Sequence, residues 1–222
     1  MQKFATAAAI VTTLDVPAGR IQLVATDRTD TTVDIQPADP SKSRDVHTAE
    51  RTEVTYTDGV LNIEVPKPKN TLLGNGLGSI QVTVHLPAGS RVEARAAATA
   101  IRTTGRLGDL TFHGAYGEIV VDEAADLALT ATDGDVQVGR LTGSADITAA
   151  RGDIRITEAT GGTLTLTTQK GDITLGAATG VSATLDAGTA YGRVTNSLKN
   201  DGTPALTIRA TTSYGDITAR SL

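Results

Sequence analysis

Hydrophobic and polar residues alternate over most of this chain, as they do in strands that bury one face. In the second half, a glycine is followed by one residue and then by Ile or Val six times, at intervals of 17 to 23 residues. These glycines are Gly117, Gly134, Gly152, Gly171, Gly192 and Gly215. A nearly constant period of this length predicts a β-solenoid, in which each repeat forms one coil that stacks on its neighbours.

Each predicted coil contains a second strand, at 127–131, 145–149, 163–168, 182–187 and 206–210. A coil is therefore expected to consist of two short strands and two corners. Alternation assigns these residues to the interior: Ile119, Val121, Leu127, Leu129, Val136, Val138, Ile147, Ile154, Ile156, Leu164, Leu166, Ile173, Leu175, Leu185, Val194, Leu206, Ile208 and Ile217.

The repeated glycines are predicted to form structural corners, because glycine adopts positive φ and lets adjacent coils approach closely. In four units the glycine is followed by an aspartate, at Asp135, Asp153, Asp172 and Asp216. These carboxylates are expected to accept hydrogen bonds from corner amides.

Residues 1–100 read as a less regular, strand-rich N-terminal cap, and residues 101–222 as the coils, the two being continuous as one domain. Strands are predicted at 5–16, 20–26, 31–36, 52–57, 60–65, 79–86 and 91–98. One short helix is predicted near 42–51, with Asp39 as a capping residue before Pro40. Residues 66–79 combine two prolines with three glycines and predict a mobile loop.

The composition limits how the core is built and what chemistry is available. Aromatic residues make up only 3% of the 222 residues, with no Trp, so the interior must consist of small aliphatic side chains. The absence of cysteine excludes disulfides, thiolate catalysis and cysteine-ligated zinc, and it leaves the redox compartment open.

The charge of the chain argues against some partners. The formal net charge is −5, and residues 101–150 hold eight acidic and three basic residues. An acidic band with few aromatic side chains argues against nucleic-acid binding. No stretch reaches the apolar length of a membrane span, and the first residues lack the apolar core of an export signal. We therefore expect a cytoplasmic protein, with secretion or surface exposure as the alternative if an export signal was removed or a non-classical route is used.

Five sets of segments together cover nearly the whole chain: DVPAGRIQLVATDRTDTTVDIQPADPSKSRDV, LPAGSRVEARAAA, the xGDI units, YGRVTNSLKN and TIRATTSYGDITARSL. These segments resemble a bacterial β-strand-repeat family of unknown function labelled "putative adhesin". The resemblance implies a right-handed parallel β-helix. It implies no catalytic residues, and the adhesin label is a fold-level analogy.

Other candidate motifs favour structural interpretations. Arg151-Gly152-Asp153 spells a cell-attachment tripeptide, but it occupies a repeat corner where KGD, DGD and YGD stand in equivalent places. The acidic ladder that begins at Glu118 offers one carboxylate per corner, whereas calcium sites gather several oxygen ligands in one loop. His47, His85 and His113 are too widely spaced in sequence to suggest a zinc site. We therefore predict no metal, no cofactor and no catalytic residues.

The predicted contact site for a partner lies near the C-terminus. Tyr191 and Tyr214 precede Gly192 and Gly215, and with Tyr116 they are expected to form a partial column along the corners. The nearby insertion 196–204 contains Asn196 and Lys199, and insertions of this kind often distinguish one solenoid from another.

These observations predict a non-enzymatic scaffold or protein-interaction module, whose specific role the sequence does not reveal. A surface adhesin that binds glycan or protein is the first alternative, and a carbohydrate-active enzyme is the second. The final coil, ending at Leu222, is expected to present an unpaired edge unless a corner, a charge such as Arg220 or a second subunit covers it. A monomer or a weak end-to-end dimer is therefore predicted, with a protein partner of unknown identity.

Overall fold

Strands account for most of the computed structural model, which describes residues 1–66 and 77–222. The predicted mobile loop 66–79 falls largely outside the described residues. The first elements are β1 (Gln2–Ala5), β2 (Val11–Asp15), β3 (Ala18–Thr26), β4 (Asp30–Pro37), α1 (Ser43–Arg51), β5 (Glu53–Thr57), β6 (Val60–Glu64), β7 (Ile80–Pro87) and β8 (Arg91–Thr104).

The remaining elements form the regular coils. They are β9 (Asp109–Tyr116), β10 (Ile119–Ala124), β11 (Asp126–Asp133), β12 (Val136–Leu141), β13 (Ala145–Arg151), β14 (Ile154–Ala159), β15 (Gly162–Lys170), β16 (Ile173–Ala177), β17 (Ala183–Tyr191), β18 (Val194–Ser197), β19 (Leu206–Tyr214) and β20 (Ile217–Ser221). Consecutive strands in this half alternate between the two sides of the solenoid, as the repeat predicts.

The strands form two ladders of hydrogen-bonded neighbours, to which the long strand β8 contributes on both sides. Ladder A runs in the order β1-β4-β7-β3-β8-β10-β12-β14-β16-β20-β18. Ladder B runs in the order β5-β6-β2-β8-β9-β11-β13-β15-β19-β17. Among the described strands, all pairings are parallel except β1–β4, β4–β7 and β5–β6 at the N-terminal end. The predicted parallel β-helix, with a less regular N-terminal part and one short helix, is confirmed.

The core is a stack of aliphatic side chains between the two ladders, because parallel in-register pairing places equivalent residues above one another. One such column contains Val121, Val138, Ile156, Leu175 and Ala219, all of which are buried. Phe112 is the largest fully buried side chain, and it lies in the first regular coil. The aliphatic interior expected from the composition is therefore present.

The N-terminal end of the solenoid is closed by antiparallel strands and by α1. Phe4 on β1 and Tyr56 on β5 contact each other with ring centroids 5.5 Å apart, so the two edge strands meet across the end of the core. The helix is fixed through its buried side chains: Asp45 accepts a hydrogen bond from the Ser79 amide, and Thr48 accepts one from the Gly78 amide.

The predicted cap of the helix is wrong in its detail. Lys42 is the N-cap residue, and its side chain makes no capping hydrogen bond. The Asp39 carboxylate instead accepts hydrogen bonds from both the amide and the hydroxyl of Ser41. This local turn uses the side chain that would otherwise cap the helix, and hydrogen bonding by Ser41 lowers the pKa of Asp39.

Coils do not stack in the order in which they occur along the chain. The last coil, β19–β20, lies between β15–β16 and β17–β18, because β19 pairs with both β15 and β17 and β20 pairs with both β16 and β18. A similar exchange occurs near the N-terminus, where β2 and β3 lie between β6–β7 and β8. The expectation that the final coil presents the unpaired edge is therefore wrong, since β17 and β18 form that edge.

Candidate interaction surface at the open end

The C-terminal end of the solenoid, formed by β17 and β18, lacks the closure seen at the other end. No strand of the described residues pairs with the outer side of either. Val194 occupies an inward position above Ile217 but is 41% exposed, which corrects its predicted burial. Leu185 is only partly buried for the same reason, because no further coil covers it.

Asn196 marks this coil as the end of the stack. It pairs with Ala219 and so continues the inward column that holds aliphatic residues in the other coils. A polar amide at a position covered on both sides would lack hydrogen-bond partners, which is costly in a dry core. At the end of the stack its side chain is exposed, and its Oδ1 accepts a hydrogen bond from the Leu198 amide at 3.0 Å.

Two tyrosines stand together at the corner of the open end. The rings of Tyr191 and Tyr214 stack with centroids 4.8 Å apart and planes inclined by 4°. Tyr191 is 67% exposed, so one face of its ring is available at the end of the stack. Tyr116 lies at the equivalent corner of the first regular coil, and three coils separate it from this pair. The predicted column is thus limited to Tyr191 and Tyr214, since Asp133, Arg151 and Lys170 occupy the row in between.

The insertion 196–204 lies beside the same end. The Lys199 amide donates a hydrogen bond to Ser221 Oγ at 2.9 Å, which holds the start of the insertion against β20. Asp201 accepts hydrogen bonds from the amide and the hydroxyl of Thr203. Hydrogen bonding by Ser182, and then by Thr203, holds the pKa of Asp201 below its usual range. The insertion is therefore an ordered corner with an ionised carboxylate at neutral pH.

The corner glycines and aspartates form a continuous ladder. Gly117, Gly134, Gly152, Gly171 and Gly215 have φ between 131° and 152°, whereas Gly192, in the terminal coil, is not among the glycines with positive φ. Each aspartate accepts a hydrogen bond from the next coil in the stack: Asp135 from the Asp153 amide, Asp153 from that of Asp172, Asp172 from that of Asp216, and Asp216 from that of Arg193.

This ladder explains why the cell-attachment tripeptide Arg-Gly-Asp occurs at residues 151–153. The Asp153 carboxylate is engaged with the Asp172 amide at 2.8 Å, and Arg151 lies 3.3 Å from an Asp133 carboxylate oxygen. The tripeptide is consequently part of a repeat corner, in which the Asp153 carboxylate and the Arg151 guanidinium have partners in neighbouring coils although both side chains are exposed.

Other polar groups lie on the outer faces of the ladders. His113 lines a groove of about 300 Å³ on ladder B with Glu93 and Arg95. A second groove, of about 350 Å³, lies over Gly139 on ladder A between Arg102 and Arg155. Within residues 1–66 and 77–222, no group of three or more His, Asp or Glu side chains is placed to hold a metal ion. The same residues include no helix of the length and hydropathy needed to cross a bilayer.

Comparison with known proteins gives one family match and several distant structural likenesses. A family model described as Toastrack DUF4097 matches residues 12–221. No curated protein matches the chain. A protein described as a putative adhesin from Bacteroides fragilis is 15% identical, with a TM-score of 0.44 and coverage of 98% of this chain and 95% of its own.

Two further solved structures are similar over almost their whole length. A protein described as a putative cell adhesion protein from Clostridium sporogenes is 12% identical, with a TM-score of 0.40 and coverage of 100% of this chain and 98% of its own. A protein described as a putative lipid binding protein from Parabacteroides distasonis is 11% identical, with a TM-score of 0.43 and coverage of 98% of this chain and 95% of its own.

Proposed function

The chain belongs to the Toastrack DUF4097 family, and from this premise we propose that it is a non-enzymatic scaffold that holds a protein partner at the open end of its solenoid. Its membership confirms the resemblance to a β-strand-repeat family of unknown function. The family supplies an architecture without an assigned role, so the proposal is argued from the open end itself.

The main support is the contrast between the two ends of the solenoid. The N-terminal end is closed by Phe4, Tyr56 and α1, whereas the C-terminal end has partly exposed aliphatic residues above the core. The outer edges of β17 and β18 carry backbone groups that no described strand pairs, as do those of β1 and β5, so the two ends differ in their exposed apolar residues. Such edges are templates for an added strand, and a protein that leaves them uncovered exposes itself to association.

The side chains around this edge suit a protein partner. The free face of the Tyr191 ring offers a rigid aromatic contact, and tyrosine is enriched among residues that dominate binding energy. Val194 and Leu185 provide apolar area beside it. Charged residues of both signs, such as Arg193 and Asp201, stand at the rim, where they affect the rate and specificity of association more than affinity.

The proposal includes a location and an oligomeric state. We place the protein in the cytoplasm, as a monomer or a weak dimer that forms through the open end. Fractionation of cells tests the location, because a surface adhesin must leave the cytoplasm. Light scattering tests the second point, and a large obligate oligomer would contradict it.

The partner site can be tested by capturing the native protein from its own cells and identifying bound proteins by mass spectrometry. Tyr191→Ala removes the exposed ring, and Val194→Asp places a charge on the apolar end. Both residues are exposed, so we expect folding to be retained and the partner to be lost.

Tyr116→Ala is the matched control, since Tyr116 is 57% exposed at the equivalent corner of a distant coil. A partner that is retained by the control and lost from both end variants supports the proposal. An identical set of bound proteins in all variants, or binding that depends on Tyr116 instead, would exclude the open end as the contact site.

A further inference from the structure

The position of the last coil gives it an unusual relation to the rest of the chain. After β16, the chain leaves room for one coil and forms β17 and β18 beyond it. It then returns and fills this room with β19 and β20. We call this space the slot, bounded by β15–β16 on one side and by β17–β18 on the other. Without its occupant, the slot would separate β15 from β17 by two strand spacings, about 9.5 Å.

The slot matches its occupant on both sides. Ile208 stacks between Leu164 and Leu185 in ladder B, and Ile217 stacks between Ile173 and Val194 in ladder A. At the corner, the Asp216 amide donates to Asp172 at 2.7 Å, while Asp216 accepts from the Arg193 amide at 2.8 Å. The inserted coil is therefore specified by two ladders of hydrogen bonds and by buried aliphatic columns.

The order of assembly follows from this arrangement. Either β17–β18 docks before β19–β20 and must move aside to admit it, or it remains undocked until the last coil has been added. In both cases, folding passes through a state in which the β15–β16 edge is free and the last coil is unplaced. During that interval the free β15–β16 edge is open to any segment with the sequence of residues 206–221.

The segment 198–205 connects β18 to the last coil. It is long enough to let the last coil bind outside its own slot. It lies outside the strands and spans about 27 Å when fully extended. It is held by a few hydrogen bonds, such as those of the Asp201 amide to Ser182 Oγ and the Ala205 amide to the Ser182 carbonyl. Opening this connection breaks few contacts compared with those that the coil makes inside the slot.

We propose that, when the chain folds at high concentration, two copies exchange their last coils, so that β19–β20 of each copy fills the slot of the other. Every contact inside the slot is the same in the exchanged dimer as in the monomer, and only the connection 198–205 changes its path. Domain swapping of this kind is a low-cost route to a dimer. Once formed, the dimer exchanges slowly, because release of the coil breaks hydrogen bonds on both of its sides.

This exchange differs from contact between open ends, and it does not depend on the function proposed above. The chain has no cysteine, so a single introduced pair can report where the last coil lies. Thr165 on β15 and Arg209 on β19 are direct partners on the outer face of ladder B. Their Cα atoms, one strand spacing apart, are within the range that a disulfide can bridge.

The test refolds the Thr165→Cys, Arg209→Cys double variant from denaturant at low and at high protein concentration. Dimers are then isolated by size exclusion, oxidised and run on a non-reducing gel. We expect concentrated refolding to give dimers that run at twice the mass of one chain, and dilute refolding to give single chains. The matched control, Thr148→Cys with Thr167→Cys, joins β13 to β15 and should run as a single chain in both preparations.

Two outcomes would overturn the proposal. One is the absence of any dimer after concentrated refolding, and the other is a dimer in which the Thr165→Cys, Arg209→Cys pair runs as single chains, which would indicate docking of ends. The unmodified chain gives an independent readout: an exchanged dimer persists after dilution, whereas an end-docked dimer dissociates at once.

Discussion

The order of the coils predicts a specific difference between two truncations in neighbouring strands. Ile208 and Leu185 are direct partners in ladder B, and each loses three carbon atoms when changed to alanine. Ile208 is 1% exposed with a leucine on each side, whereas Leu185 has a neighbour on one side only. The lost transfer energy of three carbons is about 2.4 kcal/mol. With the cavity that remains, Ile208→Ala should cost about 3 to 4 kcal/mol, and Leu185→Ala about 1 to 2 kcal/mol.

The measurement is equilibrium unfolding in urea, followed by circular dichroism for both variants and the parent. The dependence of unfolding free energy on urea must be unchanged, so that the midpoint reports stability alone. Stacking in chain order would place Leu185 between two coils and Ile208 at the end. A larger cost for Leu185→Ala than for Ile208→Ala would therefore refute the coil order and, with it, the slot.

Three further predictions test other parts of the fold. Gly171→Ala should destabilise the protein by at least about 2 kcal/mol in the same assay, because φ is 151° and the new Cβ would overlap the Gly152 carbonyl, whereas Gly188→Ala, with open space around it, should be nearly neutral. Arg28 and Lys3 lower the pKa of Asp30 from 3.8 to about 2, so the stabilisation of β1 by this carboxylate should be complete above pH 3.8 and lost as the pH falls through about 2; an NMR titration giving an ordinary value would contradict the ion pairs. Calorimetry should show one unfolding transition, because β8 crosses residue 100 and pairs with strands on both sides; two separate transitions would place a domain boundary there.

The sequence predicts the corners and the inward columns because each depends on local chemistry. A glycine in every repeat and aliphatic residues at alternate positions are enough to locate the coils, and the predicted interior residues are buried except at Leu185 and Val194. The short helix is also predictable from its local pattern, although the Asp39 carboxylate accepts a hydrogen bond from the Ser41 amide and does not cap the helix.

The order of the coils is not evident from the period, because YGRV at residues 191–194 and YGDI at 214–217 carry the same pattern. Either unit fits the outer edge of β15–β16 in the same register. Which coil pairs with this edge therefore depends on which side chains each coil can bury. Asn196 is the signal that could have decided it, since it occupies an inward position that is aliphatic in the other coils. The Tyr191–Tyr214 pair does not require this information, because the two corners are neighbours in either order of the coils; the observed order decides only that Tyr191 is the outer ring.

The difference between the two ends also determines how far any self-association can extend. A filament requires that the leading surface of one molecule fit the trailing surface of the next, so that each addition recreates the site for another. Here the two surfaces do not match, because Phe4 and Tyr56 cover the core at the N-terminal end. A contact between two open ends consumes both of them, and growth stops at a pair.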